Sequence, residues 1–351
     1  MNGSERIVLS GRGCSGRSAA AWAATLVLAG IAAGCSAGDD SGYPPGCDNA
    51  RCTATCVGLG RTGGYCQAGE CICTGGGGDG DSDADADADG GVDTGDGCDE
   101  RARWIYVVTS EKQLIRFYPD ELRLEPVGTV DCLPANPLRT PFSMSVDRNA
   151  TAWVLYSAPL TGGGGDLFRV STVDASCTAT TFVPSQEGFE LFGMGFASNA
   201  AGSTEETLFV AGGAALSIGT GSSTLGWIDM SSLVLSPIGG LPGWPELTGT
   251  GAGELWGFFP DTTPPTVQRI DKTSGAVDHT YDLPIDTTLT EAWAFAYWNG
   301  DFWIFLKTAA DASSNIWKLE SDDGTVTLAV PATGSRIVGA GVSTCAPYII
   351  I

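Results

Sequence analysis

From residue 98 onward, hydrophobic and polar positions alternate in short runs rich in Trp, Phe, Val and Ile. The runs are bounded by Gly, Pro, Asp and Ser. Alternation with period two and frequent turn residues predicts strands, and signals for helices are sparse. One phrase recurs: Leu114-Ile115-Arg116-Phe117, Leu167-Phe168-Arg169-Val170, Leu225-Gly226-Trp227-Ile228, Val267-Gln268-Arg269-Ile270 and Ile316-Trp317-Lys318-Leu319. Successive starts are 53, 58, 42 and 49 residues apart. A turn and a further strand follow each phrase, as at Lys272–Gly275 before Ala276-Val277.

Strand pairs precede four of the phrases: Phe142–Asp147 with Ala152–Tyr156, Gly193–Ala197 with Thr207–Ala211, Leu247–Thr250 with Glu254–Phe259, and Ala292–Trp298 with Phe302–Leu306. Four strands at a period of about 40–55 residues is the size of a propeller blade. The first unit starts directly at Trp104–Val108 and lacks an innermost strand. The C-terminal run Arg336–Thr344 has the small residues of the innermost strands and supplies the missing one. Residues 98–351 are therefore expected to form a five-bladed β-propeller, with a large β-sandwich as the alternative. A Cys98–Cys345 bridge would fasten the closure, and Cys132–Cys177 would join neighbouring blades. The repeats resemble those of propellers of the lactonase, NHL or quinoprotein-like type.

The N-terminal part follows a different pattern. Arg6, Arg12 and Arg17 precede an apolar run, Ala19–Ala33, too short to read as a spanning helix. It ends in Ala32-Ala33-Gly34-Cys35, which resembles a bacterial lipoprotein cleavage box. The resemblance implies a signal peptide over 1–34 and lipidation of Cys35. Ser36 at the next position implies an outer-membrane, cell-surface location. An ordinary signal peptide is the alternative. Residues 35–46 read as a spacer.

Residues 47–73 hold six cysteines. Cys52 and Cys56 are one helical turn apart, and Cys71 and Cys73 are one strand repeat apart, so the two pairs have nearly matching spacings. Asp48 or Asn49 can cap a short helix that Gly58 ends. Gly64–Gln67 and Glu70–Cys73, joined by Ala68-Gly69, predict a hairpin. Six cysteines allow 15 pairings. The geometry favours Cys52–Cys71 and Cys56–Cys73, leaving Cys47–Cys66. A segment this small needs such bridges to fold.

The order of these cysteines, with Gly64-Tyr65-Cys66 and the run Val57–Tyr65, resembles the cysteine-stabilised α/β fold of invertebrate (arthropod-type) defensins. That resemblance implies a secreted antimicrobial or defence module acting on bacterial envelopes. Arg51 and Arg61 against Asp48 and Glu70 leave the module near neutral, so a stapled knob that binds without killing is the rival reading.

Residues 74–97 contain eight aspartates, no basic residue and one sizeable aliphatic side chain, Val92. This composition predicts a solvated acidic linker. Asp85, Asp87, Asp89, Asp93 and Asp96, with Gly90 at the turn, also resemble an EF-hand loop or the Asp-rich calcium repeats of thrombospondin-type proteins. That pattern implies weak calcium binding, while low-complexity Asp-Ala repeats produce it without a ligand. No other cofactor is indicated.

The chain carries a formal net charge of -23 with pI near 4.1, which excludes nucleic acid as an expected partner. Chemistry in the body is thinly signalled. His279, the one histidine, falls on an outer strand, and no G-x-S-x-G elbow occurs. A calcium-dependent lactonase would need converging oxygen ligands, for which Asp147, Asn149, Glu254, Glu291 and Asn299 are candidates. Trp153, Trp256, Trp293, Trp298, Trp303 and Trp317 would line a sugar-binding face or pack the blades. The expected function is an exported, lipid-anchored surface protein. Its knob would serve defence, and its propeller would be a binding platform for cell-envelope components, glycan or protein. A surface adhesion protein that does not kill, and a metal-dependent propeller hydrolase, are the alternatives.

Overall fold

The computed structural model describes residues 97–158, 164–219 and 221–348, together with three short strands nearer the N-terminus. The chain divides into two units, Met1–Asp85 and Ala86–Ile351. In the first unit, β1 (Arg6–Ile7), β2 (Gly63–Gln67) and β3 (Glu70–Thr74) form an antiparallel sheet in the order β1-β3-β2. β2 and β3 pair with Cys66 opposite Cys71 and Gly64 opposite Cys73, and the Ala68-Gly69 turn expected between them lies outside the described residues. The expected signal peptide and Cys35, the expected helix and three bridges of residues 47–73, and Asp85, Asp87, Asp89, Asp93 and Asp96 of the expected linker lie outside the described residues.

The second unit is a five-bladed β-propeller of four-stranded antiparallel sheets. In blade 1, β4 (Ile105–Thr109), β5 (Gln113–Tyr118) and β6 (Arg123–Thr129) are completed by the last strand, β23 (Ile337–Gly341). Blade 2 holds β7 (Thr140–Val146), β8 (Thr151–Ser157), β9 (Asp166–Ser171) and β10 (Cys177–Ala179). Blade 3 holds β11 (Leu191–Ser198), β12 (Glu206–Gly213), β13 (Ser223–Ile228) and β14 (Leu235–Leu241). Blade 4 holds β15 (Glu246–Gly249), β16 (Leu255–Phe259), β17 (Thr266–Ile270) and β18 (Val277–Asp282). Blade 5 holds β19 (Thr290–Trp298), β20 (Asp301–Thr308), β21 (Asn315–Glu320) and β22 (Val326–Val330).

The recurrent phrases are the third strands, and the expected strand pairs are the first and second. The C-terminal run closes blade 1, with Ala340 opposite Val107 and Gly341 opposite Tyr106. Cys98 is bonded to Cys345 across that closure, and Cys132 to Cys177 between the outer parts of blades 1 and 2.

Burial falls from the axis outward. Every residue of β11 and β15 is buried, whereas outer β18 is exposed or half-buried throughout. The third strand and its outer neighbour are joined by a turn of four to six residues in each blade. Each turn holds one residue with positive φ: Leu122, Ala175, Leu233, Gly275 and Gly324. In the last four, that residue's N–H donates to the carbonyl of the residue four earlier, at 2.7–2.9 Å.

The innermost strands touch one another in the ring β23-β7-β11-β15-β19 and back to β23. Their approach is too close for larger residues. A Cβ on Gly195 would lie 2.8 Å from the backbone of Leu247, and one on Gly341 2.8 Å from that of Ser145. Hydroxyl groups tie the same strands together: Ser145 Oγ accepts from Phe196 N at 3.0 Å, and Thr248 Oγ1 from Tyr297 N at 3.1 Å. Aromatic and aliphatic clusters fill the wedges between blades. Among the described residues, no helix is long and apolar enough to cross a membrane.

Candidate functional site

All five innermost strands start at the same end of the propeller, and a pocket of about 630 Å³ opens there. Its walls come from every blade. Blade 1 contributes Ser110, Arg336 and Val338; blade 2 contributes Thr140–Phe142 and Ser157; blade 3 contributes Ile218 and Gly219. Glu246 and Asp261 come from blade 4, with Trp244 from the loop before it, and Thr290–Trp293 come from the start of blade 5. Only a site on the axis can be reached by all five blades. The volume lies within the usual range for small-ligand pockets, about 300–1,000 Å³.

Aromatic and charged groups divide the pocket between them. Phe142, Trp244, Trp293 and Ile218 pack with Leu191 and Ala215 in one apolar cluster. Trp244 is placed by the Pro242-Gly243-Trp244-Pro245 loop, and its backbone N–H donates to both Asp261 carboxylate oxygens, at 3.1 and 3.2 Å. The indole N–H groups of Trp244 and Trp293 are buried and have no acceptor among the described residues.

Glu246 is only 3% exposed. Its carboxylate accepts from Ser143 Oγ at 2.8 Å and from the backbone N–H of Met194, so it links blades 2, 3 and 4 at the axis. Burial pushes its pKa well above the usual carboxylate range, and those two hydrogen bonds only partly oppose that. At the mouth, Lys307 donates to Glu291 at 2.6 Å, which lowers the Glu291 pKa. Arg336 donates to the Glu291 carbonyl at 2.6 Å.

The residues proposed as hydrolase ligands do not converge. Asp147, Asn149, Glu254 and Asn299 lie in first-to-second-strand turns, at the opposite end from the pocket, while Glu291 is at the pocket. Asp147 is used locally: it accepts from the backbone N–H groups of Asn149 and Thr151, each at 2.9 Å, and from Trp153 Nε1 at 2.9 Å. Glu254 pairs with Arg269 at 3.1 Å, and the Asn299 N–H donates to the Pro347 carbonyl at 2.7 Å. His279 is exposed on β18, 4.7 Å from the Tyr281 ring and 5.7 Å from the Trp256 ring. Among the described residues, one acidic triad brings its oxygens within 4.8 Å, Glu320, Asp322 and Asp323, on a surface turn of blade 5.

Five of the six named tryptophans serve packing. Trp153, Trp256, Trp303 and Trp317 belong to the blade clusters, and Trp298 stacks on Trp104 while donating to the Arg103 carbonyl at 2.9 Å. Trp293 is the one that reaches the pocket. Trp244 and Glu246 were not singled out from the sequence. The signal for Trp244 was an aromatic residue in a Pro-Gly loop immediately before an innermost strand. Glu246 gave none, because an acid opening a strand reads as solvent-facing.

No family model matches this chain, and no curated protein matches it. Solved structures similar to it include TolB from Acinetobacter baumannii, at 11% identity and TM-score 0.38, covering 65% of this chain and 52% of that one. A protein of unknown function from Bacteroides caccae is similar at 10% identity and TM-score 0.37, covering 67% and 84%. A puromycin hydrolase is similar at 13% identity and TM-score 0.34, covering 64% and 36%. The chain thus spans about half the length of the TolB structure. The assignment as a five-bladed propeller rests on the strand order and ring closure.

Proposed function

We propose that this is an exported, lipid-anchored surface protein whose propeller is a binding platform, with the axial pocket as its ligand site. The observation that carries this reading is that residues from all five blades converge on one aromatic-lined pocket. Export and anchoring are supported by the basic start, the apolar run and the Ala32-Ala33-Gly34-Cys35 box. Anchoring predicts that Cys35→Ala leaves a protein that no longer partitions with membranes. A defence role for residues 47–73 is supported by their cysteine order alone, and oxidised residues 43–74 added to growing bacteria test it directly.

The platform itself is tested with a library of small fragments of mixed chemistry. Ligand-observed NMR on the purified full-length protein should find occupants that Trp293→Ala displaces. If every bound fragment is indifferent to pocket substitutions, the axial pocket is not the site.

A further inference from the structure

We infer that the axial pocket takes a neutral saccharide, with a sugar ring stacked on its aromatic wall. This rests on the platform reading and names the ligand class of that same site. Phe142 and Trp293, both half-buried, line the cavity from two blades, and Trp244, only 3% exposed, packs with them from the loop before blade 4. Flat rings suit a ligand with a broad apolar face, such as the C–H face of a pyranose.

Hydrogen bonding adds what an apolar ligand would lack. Asp261 lies at the pocket wall, and among the described residues its carboxylate is engaged by the Trp244 backbone N–H, which leaves room for further donors. Arg336 at the same wall supplies donors of its own. A hydroxyl group both donates and accepts, so one ligand class serves the carboxylate and the guanidinium together.

Charge decides against an ionic ligand. Glu291 is neutralised by Lys307 at 2.6 Å. Glu246 is buried and resists ionisation. Asp261 and Arg336 remain, one of each sign, so the wall asks for polarity without net charge.

The test uses the full-length protein with maltose, cellobiose, lactose and chitobiose as neutral probes, and spermidine, choline and citrate as charged ones. Calorimetry and saturation-transfer NMR give the affinities. At least one disaccharide should bind saturably, and Trp293→Ala should weaken it about tenfold or more. Trp293→Phe keeps an aromatic face and should lose less, which separates stacking from misfolding. Asp261→Asn should also weaken binding, while Val173→Ser, on an exposed turn at the opposite end, should leave it unchanged.

The inference is overturned if none of the four disaccharides binds, if binding survives both pocket substitutions, or if a charged probe binds more tightly than every sugar. Fragments displaced by Trp293→Ala alongside unbound sugars would leave the platform standing and remove the saccharide. If no probe or fragment contacts the pocket, both readings fall.

Discussion

Glu206 sits where three parts of the chain meet. It opens β12, and its carboxylate accepts from the Arg148 backbone N–H at 2.8 Å and from Thr344 Oγ1 at 2.8 Å. The Arg148 guanidinium in turn donates to Thr344 Oγ1 at 3.0 Å and to Cys98 Sγ at 3.0 Å. Burial raises the Glu206 pKa to about 7; nearby Asp147 adds to the rise, while the hydrogen bonds and the Arg148 charge oppose it. A carboxyl with a raised pKa is held protonated by the folded state. Its contribution therefore favours folding at low pH and is lost as pH climbs from about 4.5 to about 7. The full swing is about 3 kcal/mol. Glu206→Gln cannot titrate and can keep both hydrogen bonds. Denaturant midpoints measured from pH 5 to 8 should fall with pH less steeply for Glu206→Gln than for the parent. Parallel curves would show that Glu206 ionises normally in the folded protein.

Closure of the ring depends on one strand and one bond. β23 is separated from its partner β4 by almost the whole propeller, and the Cys98–Cys345 bridge spans 247 residues against 45 for Cys132–Cys177. In the chain-entropy account the longer loop stabilises more, by about 1.5 kcal/mol. Replacing Cys98 and Cys345 by Ala should thus lower the unfolding midpoint more than replacing Cys132 and Cys177, and an equal loss would place the stabilisation elsewhere. The inner ring gives a second prediction. Gly195→Ala puts a methyl 2.8–2.9 Å from Leu247 and Thr248 backbone atoms, which have no rotamer to move, and should cost about 1–3 kcal/mol in equilibrium unfolding. The strand pattern was legible because third strands alternate, as in Ile115, Arg116 and Phe117, and because the closing strand shares small residues with the other inner strands. The site was less legible. Trp293 lay on a predicted inner strand, but whether it faced the pocket or the wedge depends on register. Glu246 and Glu206 are acids at strand starts, and only the folded ring buries them.

At the scale of the whole chain, the acidic stretch 74–97 contains no Lys or Arg and so offers trypsin no site, whereas a protease of broad specificity needs only an accessible backbone. The propeller's backbone is largely committed to sheets, which resist both. Brief treatment with proteinase K should therefore release a stable fragment beginning between residues 74 and 97, while trypsin should leave that stretch intact. Calcium separates the two readings of the same aspartates. If Asp85, Asp87, Asp89, Asp93 and Asp96 wrap an ion, added calcium should slow cleavage there and magnesium should not, because the larger ion accepts a looser set of oxygen ligands. If they only keep the stretch solvated, cleavage should proceed at the same rate with calcium, magnesium or chelator. Replacing Asp89 and Asp93 by Asn identifies the cause of any protection, since a specific loop loses it and general ionic screening does not.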